Sequence, residues 1–168
     1  MTVRAPEGDD HGHGHGDRND GELAIRPAER ADLLAVVRIE NESFPQPWPY
    51  EAFDRFLGDP GFLVAVTNGD IAGYVVADVS PSFGRQLGHV KDIAVHPDRR
   101  KMGVGSALLS RSVAVLTAHG ADSIKLEVRR SNDRAKRLYR QFGFEPIRRI
   151  PGYYGNDEDA IVMVRQLE

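Results

Sequence analysis

Apolar residues recur with two different periods along this chain of 168 residues, and the switches between them mark out its elements. Leu23-Ala24-Ile25-Arg26 reads as a first strand closed by Pro27. Between Ala31 and Phe44, residues Leu33, Leu34, Val36, Val37 and Phe44 fall at helical spacings. Pro45-Gln46-Pro47-Trp48-Pro49 ends that helix, because each proline lacks a donor and restricts the residue before it. Pro49 suits the first turn of a second helix through Phe53, Phe56 and Leu57. Phe62 to Thr67 predicts a strand, Asn68-Gly69 a tight hairpin turn and Ile71 to Val79 its partner, with a loop from Ser80 to Gly88. His89 to Val95 is the next strand.

A basic, glycine-containing turn then leads into a helix with Val104, Leu108, Leu109, Val113 and Leu116 on one side, ended by His119-Gly120. Ile124 to Val128 predicts a strand, Asp133 to Phe142 a helix closed by Gly143, and Glu145–Ile150 and Ala160–Arg165 two last strands. The order β-α-α-β-β-β-α-β-α-β-β defines one mixed α/β domain over 23–168, with about seven strands and about four helices. Residues 1–22 are rich in Gly, Asp and His with almost nothing to bury, and are expected to form a disordered tail. His11, His13 and His15 alternate with glycines there, a pattern that suits a solvated tail better than a metal site.

Charge sharpens that division. The first 22 residues hold six acids and two bases, whereas the remainder holds 20 bases and 19 acids. A near-neutral body excludes a protein that coats polyanions by bulk charge, so no nucleic-acid partner is expected. No apolar run is long enough to span a bilayer, and the start of the chain lacks the pattern of a secretory signal. The chain contains no cysteine, which removes disulfides, thiolate metal sites and a cysteine nucleophile. His89, His96 and His119 show no ligand spacing and are read as incidental, so no metal is expected. These features together suit a cytoplasmic protein.

The most informative stretch joins the His89–Val95 strand to the helix after it: Arg99-Arg100-Lys101-Met102-Gly103-Val104-Gly105-Ser106. Amides at a helix start lack intrahelical partners, and the helix dipole adds positive potential. Gly103 and Gly105 leave those donors open to a phosphate, and the three cations add charge, so this turn is a candidate anion site. A nucleoside triphosphate loop would require a lysine that Gly105-Ser106-Ala107 lacks. A dinucleotide fingerprint would require glycine where Leu108 stands.

The spacing Arg100-x-x-Gly103-x-Gly105 resembles the acyl-CoA pyrophosphate loop of the GCN5-related N-acetyltransferase (GNAT) family. Leu126-Glu127-Val128-Arg129-Arg130-Ser131-Asn132-Asp133-Arg134-Ala135, followed by Leu138-Tyr139 and Phe142-Gly143-Phe144, is similar to the signature of its RimI-type members. Glu42-x-Phe44-x-x-Pro47-Trp48, Tyr153-Tyr154 and Asp159 to Met163 agree, so the resemblance covers the whole expected domain. It implies the GNAT fold and acetyl-CoA as co-substrate. It further implies that Ile93, Ala94 and Val95 pair with the pantetheine arm like an added strand, beside Asn132. Arg100, Lys101, Met102, Gly103, Val104, Gly105 and Ser106 then form the pyrophosphate loop. RimI-type enzymes acetylate protein N-termini, with the ribosomal protein S18 alanine as the bacterial example. Phe44, Pro47, Trp48, Tyr153 and Tyr154 would flank the acceptor, and the protein would act as a monomer or weak dimer.

Amide formation requires a neutral amine, a polarised carbonyl and a departing thiolate, all held in contact. Glu127 lies on the strand beside the cofactor turn, where a carboxylate can take the amine proton through a water; a solvent-facing strand glutamate is the other reading of its position. Tyr139 is the candidate acid toward the departing sulfur, with core packing as its alternative. Asn132 is equally suited to cap the following helix. Without cysteine, direct attack by the amine in a ternary complex is expected. A small-amine or lysine acetyltransferase, and a non-catalytic acyl-CoA-binding module, remain the alternative functions.

Overall fold

The computed structural model describes residues 22–155 and 157–167. The tail expected over 1–22, with its three histidines, lies outside them apart from Glu22. The strands are β1 (Ala24–Pro27), β2 (Phe62–Thr67), β3 (Asp70–Ser82), β4 (Arg85–Val95), β5 (Ser123–Arg129), β6 (Glu145–Ile150) and β7 (Ala160–Gln166). The helices are α1 (Leu33–Ser43), α2 (Tyr50–Phe56), α3 (Val104–Ala118) and α4 (Asp133–Gln141), with 3-10 turns before α1 and after β4. Their order matches the expected one. The seven strands form a single sheet ordered β1-β2-β3-β4-β5-β7-β6, antiparallel except where β4 meets β5.

Each face of the sheet has its own core. Leu63, Ala65, Val75, Ile93, Ile124 and Leu126 pack with Val104, Leu108 and Leu109 of α3. On the other face, Val64, Tyr74, Val76 and Ala94 meet Leu33, Val36 and Ile39 of α1 and Phe53 of α2. This division follows from the alternation of strand side chains, with one period lining each face.

Ser80–Gly88 was expected as a loop and is not one. The strands continue through it to a turn at Phe83-Gly84, where φ is 49° and 77°. Pro81 misleads the sequence reading, but its missing donor costs nothing here. Opposite it, the Gln86 amide donates outward to Asp122 Oδ2 at 2.8 Å, so the Pro81–Gln86 pair exchanges no ladder bonds.

One irregularity opens the edge of β4. The β3–β4 register passes from Val76↔Asp92 to Ala77↔Val90, leaving Lys91 as an extra residue in β4. Such a bulge bends its strand. β4 pairs with β5 only from Leu87 to His89, just before the bulge. Beyond it the two strands part, and the edge of β4 from Ile93 to Val95 opens onto a cleft.

Candidate active site

The cleft, of about 210 Å³, lies between that open edge, the start of α3 and the inner side of α4. Ile93, Ala94, Val95, Arg100, Lys101, Gly103, Val104, Gly105 and Ser106 line it, as the sequence proposes for a cofactor site. Arg134, Ala135, Leu138 and Tyr139 form the opposite wall. Met102 is exposed and outside the lining. Asn132 is buried, and its Oδ1 accepts from the Ala135 amide at 3.1 Å, so it caps α4.

The start of α3 has the character of an anion site. Its first intrahelical bond runs from the Ala107 amide to the Gly103 carbonyl at 3.0 Å, so the amides of Val104, Gly105 and Ser106 have no acceptor within the helix. Gly103 has φ of 78°, a left-handed value that favours glycine, with no side-chain cap over the helix end. Arg100 folds beneath this turn, donating from Nε to the Val95 carbonyl at 3.2 Å and from NH2 to Ser43 Oγ at 3.4 Å. Burial, and then the neighbouring Arg134 guanidinium, push the Arg100 pKa down. Two cations drawn together in a cleft suit an anionic ligand between them.

Glu127 stands on β5, two residues past the last rung shared with β4. It is only 4% exposed, so the solvent-facing reading fails. His89 Nε2 lies 2.7 Å from its Oε2, and Lys125 Nζ lies 3.3 Å from its Oε1. Burial by itself would raise this carboxyl, but the His89 hydrogen bond and charge, with the Lys125 ammonium, outweigh it and hold the pKa below the ordinary value. His89 is therefore not incidental. Its place on the last rung that β4 and β5 share brings it to the carboxylate, and only the register between distant strands could have shown that.

Tyr139 is 1% exposed, and its ring sits edge-on to Phe144 at 6.1 Å. Burial, and then the negative Asp92, push the phenol well up, so it keeps its proton at neutral pH. Tyr154 is raised too, first by burial and then, against the opposing Arg129 guanidinium, by Tyr153, Glu127 and Tyr139. Glu127 and Tyr139 thus both act electrostatically on the Tyr154 phenol. Arg129 lies over the Tyr154 ring, 4.4 Å from its centre, and Tyr153 meets that ring edge-on at 5.1 Å.

The expected acceptor residues divide. Phe44 is buried in the α1–α2 core, Trp48 is half-buried against Phe53 and Phe56, and Pro47 is exposed. The loops carrying Trp48 and Tyr154 approach one another: a Cβ placed on Gly155 would lie 3.9 Å from Gln46 Nε2. Among the described residues no group of three or more His, Cys, Asp or Glu is placed to hold a metal ion, and no helix is long and apolar enough to cross a membrane.

This parted sheet, with a donor-lined helix start after one strand and a buried charge-paired carboxylate on the other, is the architecture of an acyltransferase. The chain matches the model of the acetyltransferase (GNAT) family over residues 33–144, and it belongs to that family. An N-alpha-acetyltransferase of Sulfurisphaera tokodaii is 34% identical over 157 residues, covering 87% of this chain and 94% of the relative. The [ribosomal protein bS18]-alanine N-acetyltransferase of Escherichia coli is 32% identical over 143 residues, covering 83% and 94%. Among solved structures, Ard1 from Thermoplasma volcanium superposes with a TM-score of 0.79 at 29% identity, covering 87% of this chain and 98% of that one.

Proposed function

We propose that this chain transfers the acetyl group of acetyl-CoA to the N-terminal α-amine of proteins, an alanine-first ribosomal protein among its acceptors. It does so in the cytoplasm, as a monomer or weak dimer, by direct attack in a ternary complex. The observation that carries the reading is Glu127: a buried carboxylate kept ionised by His89 and Lys125, on the stretch of β5 that has parted from β4. A carboxylate of lowered pKa is a weak base. It suits an α-amine, whose pKa is about 7.7–8.0, far better than a lysine ammonium near about 10.4.

The residues present fit the co-substrate. The open edge of β4 at Ile93–Val95 suits an extended amide-bearing arm, and the α3 amides with Arg100, Lys101 and Arg134 suit a diphosphate. When bound, acetyl-CoA supplies an activated thioester. Glu127, through water, takes the proton of the amine. The Val95 N–H polarises the carbonyl, and Tyr139 gives its proton to the departing sulfur. Asn132 holds the start of α4, and thereby Tyr139, toward the cleft. The aromatic loops around Trp48 and Tyr153-Tyr154 hold the acceptor backbone.

The test is thiol release from acetyl-CoA with an alanine-first peptide and with its N-blocked, lysine-containing twin. Release with the first alone supports the proposal. Release with the second alone points to lysine, and tight CoA uptake without release from any amine points to a binding module.

A further inference from the structure

Glu40 of α1 is a carboxylate with no exposed surface, and no step above uses it. Burying such a group is costly unless donors replace its water. A main-chain and a side-chain donor are among those that do so here. The Trp48 amide lies 3.0 Å from Oε1, and the Tyr74 hydroxyl donates to Oε2. They come from separate parts of the fold. Trp48 belongs to the connection between α1 and α2, whereas Tyr74 stands on β3 directly opposite Ala94, a residue of the cleft wall.

Pro45, Pro47 and Pro49 carry no N–H, so within 45–49 only Gln46 and Trp48 have main-chain donors. The Trp48 indole rests 6.0 Å from the Phe56 ring and 5.4 Å from that of Phe53. Glu40 therefore fastens a proline-rich segment to the sheet at the level of the donor cleft. We propose that Glu40 is a positioning residue for the acceptor, fixing the Trp48 segment as the wall against which the acceptor's first residues lie. This inference rests on the proposed transfer to protein N-termini.

Trp48 is the single tryptophan of the chain, so its fluorescence reports this segment without reference to activity. Glu40→Ala is expected to move the emission to longer wavelength and increase quenching by iodide. It should raise the acceptor KM by about tenfold, the effect of leaving a buried amide without its acceptor, with kcat and CoA affinity held within about twofold. Glu40→Gln, whose side-chain oxygen can still accept from the Trp48 amide, should restore both emission and KM. Unchanged emission overturns the proposal. So does shifted emission with an unchanged KM, or a parallel loss of kcat and CoA affinity.

If Glu40→Ala does not fold, Tyr74→Phe must give the same KM-specific loss in smaller measure, and its absence is equally decisive against the proposal. A wild-type protein that acetylates no N-terminal peptide would remove the reading of function and the acceptor role together. The fluorescence comparison would still establish whether Glu40 holds Trp48.

Discussion

His89 Nε2 lies 2.7 Å from Glu127 Oε2 although 38 residues separate them, because β4 and β5 run parallel through their last shared rung at His89 and Lys125. The pair turns a buried carboxylate, which desolvation would neutralise, into one that remains charged. Replacing His89 by Ala leaves the desolvation without its main opponent, so the Glu127 pKa should rise. In the wild type, ionised Glu127 stabilises the fold above about pH 4.3, the ordinary glutamate value, and that contribution fades as pH falls through the depressed pKa. His89→Ala should therefore move acid unfolding to higher pH and lower kcat, as read by circular dichroism and steady-state rates. An unmoved acid transition would show that the pair does not hold the charge.

Glu127→Gln removes the proposed base and keeps the shape. Turnover should fall by about 10²-fold or more near pH 6.5, where the α-amine is mostly protonated. The deficit should narrow toward pH 9, where the amine arrives neutral. A pH–rate profile with a saturating peptide measures this directly.

Tyr139→Phe deletes a hydroxyl whose proton burial holds in place. Turnover should drop by about 10²-fold, the usual worth of a positioned acid, with CoA affinity nearly intact. Calorimetry beside kinetics separates the two. A parallel loss of affinity would identify Tyr139 as a packing residue of the cleft wall instead.

Gly103 has no neighbour within 4 Å of where a Cβ would sit, so space does not forbid a side chain there. Its φ of 78° does the discriminating. Gly103→Ala should cost about 1–2 kcal/mol of stability from the left-handed conformation, with modest loss of CoA affinity. Gly103→Asp adds a negative charge over the α3 amides and should weaken CoA binding by a further tenfold or about that. Thermal melts and calorimetry on both variants separate strain from charge.

Much of this was legible in the sequence. Helical spacing from Val104 to Leu116 and glycines at 103 and 105 marked the donor turn, and the structure places nine of the eleven proposed cofactor residues around one cleft. Local signals sufficed there because strand, turn and helix are consecutive in the chain. What escaped depends on register between strands. The extra residue at Lys91 breaks the alternation of β4 and parts it from β5, and nothing in the run His89 to Val95 announces it. The burial of Glu127 and the arrival of His89 beside it follow from that same geometry. Phe44 looked like part of a binding mouth and instead anchors the core beneath it, since helical spacing marks an inward face without saying what lies beyond. Arg134 lines the cleft with Lys101 because α4 returns across it, which a tertiary contact alone could reveal.

The most direct test of the whole account is a crystal structure of the protein grown with CoA. The diphosphate should sit on the main-chain amides that open α3, with the pantetheine laid along Ile93–Val95 and its sulfur directed toward Tyr139. Electron density for CoA in any other place, or a calorimetric titration that registers no uptake, would contradict it.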